Sequence, residues 1–251
     1  MREGDKKAMI NYWLIAGDTH SSFNRFRKIQ RIVPKDEKWG VIILGDAGIN
    51  FFLDHNQQDR DLKQHIKRNY PNLEFFCVRG NHEQRPELIP GMRLSRNNDV
   101  VGMVYEEEEF PSIHYLLDGA TYLINDKKTL VLGGAYSVDK ELRLEREALG
   151  KYGGWFPHEQ LDSHERAMIL NNVRGKHFDA VLSHTCPVSW EPTEVFLSCV
   201  DQSKVDKTME KWLEEVKDSI TFDRWWFGHY HTDKMVNEKA FILFKSIKEF
   251  C

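Results

Sequence analysis

Short apolar runs alternate with helix-type patterns in the first third of the chain. The apolar runs are MINYWLIAG, WGVIILGD and NLEFFCVRGN, and helical patterns lie between them at Phe23 to Arg31 and within Gln57 to Arg68. A repeated series of strand, helix and strand favours a largely parallel sheet. We therefore expect an α/β fold.

The pattern changes in the middle of the chain. The runs SIHYLLDG, ATYLIND and TLVLGGAY are close together and are joined by turn residues, Asp118, Gly119, Asn125 and Asp126. Turn residues between short β-type runs predict antiparallel strands. We assign all three runs to a second sheet. The acidic run YEEEEF that precedes them is expected to be a solvated loop or the end of a strand.

The last part of the chain returns to alternating helices and strands. Helical patterns cover Lys140 to Leu149, Glu159 to Val173 and Ser203 to Lys217, with Ser203 and Asp206 as the expected cap of the last helix. The runs DAVLSH, FDRWWFGHYH, KMVNE and AFILFKSI are predicted strands.

Length and composition narrow the class of protein. The 251 residues are enough for one large α/β domain, and we expect a single domain over 1–251. The formal charge of −4 argues against a general binder of nucleic acid or anionic membranes. The longest apolar runs are far below the roughly 20 residues of a membrane span. With no signal-type core after the start and no paired cysteine motif, we expect a cytoplasmic protein with reduced thiols.

Metal-ligand residue types follow five of the β-type runs directly, in AGDTH, LGDAG, RGNHE, LSHT and FGHYH. Strand carboxyl ends in an open α/β sheet converge on one crevice, so these residues can meet. The candidates are Asp18, His20, Asp46, Asn81, His82, His184, His229 and His231. Any one of them could be an ordinary turn or surface residue. Their joint position after five strands favours a common site.

A cation would account for this combination of residues. Two carboxylates and several imidazoles in one crevice are costly unless a positive charge compensates. Oxygen and imidazole ligands without thiolate suit Mn, Fe, Zn, Co or Ni. Seven ligands exceed the need of one ion, whereas two ions that share a bridging carboxylate would use them all.

The motifs DTH, GD, GNHE, SHT and GHYH resemble those of the calcineurin-like metallophosphoesterases, whose pattern is DxH, GD, GNH(D/E), a lone His and GHxH. The resemblance extends from position 18 to position 231. It implies a two-sheet α/β/β/α sandwich with the active site at the carboxyl ends of the strands. It also implies two divalent transition-metal ions, with Mn the first expectation, and a bridging hydroxide as nucleophile.

The resemblance assigns a role to each candidate. The first metal would be bound by Asp18, His20 and His231. The second metal would be bound by Asn81, His184 and His229. Asp46 would bridge the two metals. His82 would lie over the site and protonate the leaving oxygen, and its alternative role is to orient other site residues.

The sequence departs from the pattern of the family's protein phosphatases, which have GDxxDR at the second motif. Ile49 and Asn50 occupy the positions of the second Asp and the Arg. Arg143, Arg79 or Arg60 could bind phosphate in place of the missing arginine, although an arginine at such a position is more often a surface or salt-bridge residue.

Two aromatic residues complete the candidates for substrate binding. Tyr136 and Trp155 lie in the segments GGAYSVDKELR and GGWFPHEQ, which are expected to flank the site. They could form a specificity wall or simply pack under a loop. The candidate substrate-binding residues are therefore Arg143, Tyr136 and Arg79, with Trp155 as a further wall residue.

These expectations define a metal-dependent hydrolase of phosphoric esters. We favour a phosphomonoesterase acting on a phosphorylated substrate, because the chain has no evident nucleic-acid module. A phosphodiesterase or nuclease on the same metal pair is the alternative, and a basic track to the site would favour it. A non-catalytic interaction protein with this fold is a further alternative, which the complete ligand set opposes.

Overall fold

Two mixed β-sheets form the centre of the molecule in the computed structural model, which describes residues 10–53 and 57–250. The strands in these ranges are β1 Ile10–Ala16, β2 Lys38–Ile43, β3 Leu73–Cys77, β4 Arg93–Asn97, β5 Gly102–Glu106, β6 Ile113–Leu116, β7 Thr121–Ile124, β8 Lys127–Leu132, β9 His177–Ser183, β10 Thr221–Phe227, β11 Lys234–Met235, β12 Ala240–Ile242 and β13 Ile247–Glu249. The α-helices are α1 Arg27–Ile32, α2 Gln58–Asn69, α3 Lys140–Ala148, α4 Ser163–Val173 and α5 Thr208–Ser219.

Parallel strands occupy the middle of both sheets. The first sheet has the order β13-β1-β2-β3-β6-β5-β4, and the second has the order β11-β12-β10-β9-β8-β7. Strands β1, β2, β3 and β6 are parallel, and so are β8, β9, β10 and β12. The carboxyl ends of the central strands therefore face one edge of each sheet, where the five predicted motifs follow them.

Alternating side chains place apolar residues on both faces of each sheet. In β1, Trp13 and Ile15 pack between the two sheets, whereas Leu14 and Ala16 face the layer that contains α1 and α2. In the second sheet, Leu182 faces the space between the sheets and Val181 faces α4 and α5. This arrangement confirms the predicted α/β/β/α sandwich.

The assignment of all three middle runs to the second sheet is wrong. The run SIHYLLDG forms β6, which pairs with β3 in the first sheet, in parallel and with Phe75 opposite Ile113. Only β7 and β8 of the three runs form an antiparallel pair in the second sheet. Asp118 and Gly119 therefore mark a crossing from one sheet to the other. The β4–β5 hairpin was not predicted from the pattern, because three of the five residues of β4 are exposed.

The predicted start of α5 is also wrong. Ser203 belongs to a single 3₁₀ turn at Gln202–Lys204, and α5 begins at Thr208. The side chain of Asp201 accepts from the backbone N–H of Ser203, and the side chain of Asp206 accepts from that of Thr208 at 2.9 Å. Of the two residues predicted to cap one helix, Ser203 therefore lies inside a separate turn that Asp201 caps, and Asp206 accepts from the first residue of α5.

Two further expectations from composition can be compared with the structure. Cys77, Cys186 and Cys199 are free thiols, while Cys251 lies outside the described residues. Across 10–53 and 57–250, no helix combines the length and the apolar character that crossing a bilayer requires.

Candidate metal centre

Backbone hydrogen bonds join the loops after four of the five strands in pairs at one edge of the sandwich. The amides of Thr19 and His20 donate to the carbonyl of Asp46, at 3.1 and 2.9 Å. The amide of Gly228 donates to the carbonyl of His184 at 2.9 Å. These bonds tie the loops after β1 and β2 together, and those after β9 and β10. Together with the carboxylate hydrogen bonds described next, they bring the eight predicted residues to one place.

Asp18 and Asp46 use their two carboxylate oxygens in the same way. Oδ1 of Asp18 accepts from the backbone N–H of His229 at 3.0 Å, and Oδ1 of Asp46 accepts from that of His82 at 2.9 Å. In each case Oδ2 faces imidazoles. Each buried aspartate therefore fixes a distant histidine loop with one oxygen and keeps the other for the site.

Glycine is required before each of the two histidine loops. A Cβ on Gly80 would lie 2.0 Å from Oδ1 of Asp46, and a Cβ on Gly228 would lie 2.2 Å from Oδ1 of Asp18. No side chain could be accommodated at these distances without displacing a carboxylate. Close packing rather than a sharp turn explains these two glycines, because neither has a positive φ.

One group of possible ligands consists of Asp18, His20 and His231, whose ligand atoms lie within 4.8 Å of one another. Nε2 of His231 and of His20 are 3.4 and 3.7 Å from Oδ2 of Asp18, and the two Nε2 atoms are 2.8 Å apart. The ring of His231 also stacks on Phe244, with centroids 4.6 Å apart. The group coincides with the set that the resemblance assigns to the first metal.

A second group consists of Asp18, Asp46 and His184, again within 4.8 Å. The fully buried His184 has its Nδ1 2.7 Å from the carbonyl of Leu44, which fixes the ring so that Nε2 faces the site. That Nε2 lies 3.6 Å from Oδ2 of Asp46 and 2.8 Å from Oδ1 of Asn81. Asp18 is thus common to both groups, although the resemblance assigns the bridging position to Asp46.

His229 lies against this second group without belonging to it. Its ring packs edge-on against that of His184, with centroids 5.0 Å apart. Burial and the neighbouring His184 lower the pKa of His229 to about 3, so its imidazole is neutral, as a metal ligand must be.

Backbone strain is concentrated at the same residues. His20, Asp46, His229 and His231 all have positive φ, between 42° and 67°. Non-glycine residues rarely adopt this conformation, and it persists where the surroundings enforce it, often at functional sites.

Two observations indicate that these residues could bind a cation. Oδ2 of Asp18 is buried and has no hydrogen-bond partner within residues 10–53 and 57–250, which costs free energy unless a positive group is bound there. Burial lowers the pKa of His184, yet the charges of Asp46 and Asp18 outweigh it and raise that pKa to about 9. The local field therefore favours positive charge between the two aspartates.

His82 lies in the wall of the cavity above these groups. Its Nε2 is 3.9 Å from Oδ2 of Asp46. Burial lowers the pKa of His82, and the negative charge of Asp46 opposes this effect. The charge of Arg143 lowers the same pKa and that of Asp139 raises it. Arg143 and Asp139 form an ion pair with Nε 2.8 Å from Oδ1. The Arg143–Asp139 ion pair therefore lies near His82. Ile49, which occupies the position of the second Asp of GDxxDR, is buried in the core.

The candidate substrate-binding residues have different surroundings. Tyr136 lines the cavity together with His82 and Asn81. Arg79 is buried, with Nε 2.7 Å from Asp118 and Nη1 2.7 Å from the carbonyl of Glu159. Its placement favours a structural role.

Two other sequence candidates have partners away from the cavity. Arg60 pairs with Glu109 at 2.7 Å on the surface. The ring of Trp155 lies 4.4 Å from Nζ of Lys140 and is not in the cavity wall.

Several supporting residues were not predicted from the sequence. Nδ2 of Asn81 donates to Oγ of Ser137 at 2.9 Å, and Ser137 donates to Glu159 at 2.5 Å, so the amide oxygen of Asn81 is directed at His184. Arg25 donates to the carbonyls of Gly17 and Phe244. Ser137 follows β8 as the ligands follow their strands, but neither Glu159 nor Arg25 has a sequence signal.

The fold and the site together define a metal-dependent hydrolase. The family model described as calcineurin-like phosphoesterase matches residues 13–233. The chain therefore belongs to the calcineurin-like phosphoesterases, and it is a metal-dependent phosphoester hydrolase. A comparison with curated proteins gives no match.

Proposed function

We propose that the protein is a phosphomonoesterase with a dinuclear metal centre. The observation that carries the proposal is the pair of ligand groups that share Asp18, one with His20 and His231 and the other with Asp46 and His184. Asn81 and His229 adjoin the second group, so they would complete it with residues of the resemblance's ligand set. Bound there, two ions would supply Lewis acidity to the phosphoryl oxygens and lower the pKa of a bound water.

The protein's own residues would orient the ester and handle its proton. Arg143, fixed by Asp139, is the cation that we assign to a phosphoryl oxygen in place of the missing arginine of GDxxDR. His82 would donate a proton from its imidazole to the leaving oxygen, and Tyr136 would contact the ester beside it. The Ser137–Glu159 pair would keep the Asn81 amide oxygen on the metal side.

A second cavity supports the diesterase alternative. It has a volume of about 610 Å³ and is lined by Phe51, Tyr152, Arg143, Arg146 and Lys151 among others. Cationic and aromatic side chains in one groove are a combination that can bind single-stranded nucleic acid. Arg143 is common to this groove and to the surroundings of His82, so a polynucleotide could reach the site along it.

One assay separates the two functions. The purified protein, loaded with Mn²⁺, is given para-nitrophenyl phosphate and its bis ester under the same conditions. We expect the monoester to be hydrolysed with the higher kcat/KM. A higher kcat/KM for the bis ester would support the diesterase, and no metal-dependent hydrolysis of either would contradict both.

A further inference from the structure

An apolar cleft extends from the metal centre along the segment 191–207. The cavity has a volume of about 420 Å³, and Asp46, Asn81, His82, His229 and His231 form one end of it. This size lies within the range of about 300 to 1,000 Å³ that is typical of small-ligand sites. The other end is formed by Val138 and by residues of segment 191–207.

Segment 191–207 presents mainly branched apolar and aromatic side chains to this cleft: Val195, Phe196, Leu197, Val200 and Val205. Leu197 is 61 % exposed, Val138 is 44 % exposed and Val195 is 40 % exposed. Single exposed apolar residues are ordinary, but several that line one cleft beside a catalytic centre indicate a binding surface.

The apolar side chains of segment 191–207 form a wall of the cleft, and this wall packs against the metal-binding loop. The ring of Phe196 stacks on Tyr230, with centroids 6.1 Å apart and planes at 17°, and Nζ of Lys207 lies 4.6 Å from the Phe196 ring centroid. Tyr230 lies between the ligands His229 and His231. The apolar wall and the metal-binding loop therefore share a packed contact.

Most charged groups in the wall are paired with protein groups. Nζ of Lys207 is 2.6 Å from Glu191, and Oε1 of Glu210 accepts from Thr185 at 2.8 Å. Oε2 of Glu210 is buried and has no hydrogen-bond partner among the described residues. A polar ester group in this cleft would have to compete with these contacts, whereas an alkyl or aryl group would only displace water from apolar surface.

We infer that the cleft binds the ester group of the substrate and that this group is apolar, so the preferred substrates are phosphoesters of alkyl or aryl alcohols. The inference rests on the proposed function, because it places the phosphoryl group at the metal centre. Each buried methylene contributes about 0.8 kcal/mol, which corresponds to about a fourfold change in kcat/KM.

The test compares n-alkyl phosphates of increasing chain length with a sugar phosphate and a nucleoside monophosphate. We expect kcat/KM to rise by up to about fourfold per methylene until the cleft is filled, and the two polar phosphates to be poor substrates. The affinity of n-alkyl phosphonates, measured by calorimetry, should rise in parallel, with an increasingly negative heat-capacity change.

The variant Leu197→Ser should flatten the dependence of kcat/KM on chain length. Its matched control is Leu94→Ser, since Leu94 is an exposed leucine on the edge strand β4 (49 % exposed). If the enzyme is active but kcat/KM stays constant or falls with chain length, or if a polar phosphate is preferred, the inference of an apolar ester group is wrong and the proposed function is unaffected. Failure to hydrolyse any of these esters would overturn both.

Discussion

At the scale of single residues, the site is built on two aspartates with divided tasks. Asp18 and Asp46 each accept a backbone N–H with Oδ1 and turn Oδ2 toward the imidazoles. The sequence predicted both residues because each follows a β-type run with a glycine. It could not predict Glu159, which reaches the site only through Ser137 and Asn81.

The variant Asp46→Asn tests the bridging role that the resemblance assigns to this carboxylate. We expect loss of phosphoesterase activity and of at least one bound metal, because the substitution removes a negative charge from the second ligand group. Metal content can be measured by elemental analysis of the purified variant. Asp218→Asn, at an exposed carboxylate near the end of α5, is the control and should keep activity and metal.

His82→Ala separates proton donation from metal binding. Since His82 belongs to neither ligand group, the variant should retain its metals while kcat falls by about 10²- to 10⁴-fold. The loss should be greatest for esters with poor leaving groups, in a series of aryl phosphates. The control is His164→Ala, at an exposed histidine of α4, and it should keep both metal and activity. A variant that lost metal would show that His82 is a ligand.

At the scale of secondary-structure elements, periodicity predicted whether a segment is a helix or a strand better than it predicted which strands pair. The strands that precede the five motifs were found, because the halves of these central parallel strands nearest the site are buried on both faces and are largely apolar in sequence. The β4–β5 hairpin and the sheet that contains β6 were missed. Pairing of β6 with β3 depends on contacts between distant segments, and no local pattern encodes such contacts.

Packing of α5 on the second sheet can be tested at Leu213. This side chain is fully buried among residues of α4, β9 and β10. Leu213→Ala should lower the free energy of unfolding by about 2 to 5 kcal/mol, as measured by urea denaturation. Leu142→Ala on α3, where the leucine is 58 % exposed, should change it by less than about 0.5 kcal/mol. Equal effects would contradict the packing described here.

At the scale of the whole molecule, apolar clusters between the two sheets and under both helical layers support an edge where charged groups are buried. Glu210 on α5 illustrates the cost, because burial raises its pKa from 4.5 to about 7. Between these two values the unfolded chain releases this proton while the folded protein keeps it. Stability should therefore fall as pH rises through that window and become constant above it.

Glu210→Gln removes this contribution. The free energy of unfolding of the unaltered protein, relative to the variant, should decline by up to about 1.4 kcal/mol per pH unit across the window. Urea denaturation at a series of pH values measures the difference. A constant difference would mean that Glu210 titrates normally in the folded protein.

The most direct measurement of the central claim is a titration of metal-free protein with Mn²⁺. Calorimetry measures the number of ions bound, and hydrolysis of para-nitrophenyl phosphate is measured on the same samples. The account predicts that two ions bind per chain and that activity appears as the second site fills. Binding of a single ion at full activity, or activity that survives complete removal of metal, would contradict it.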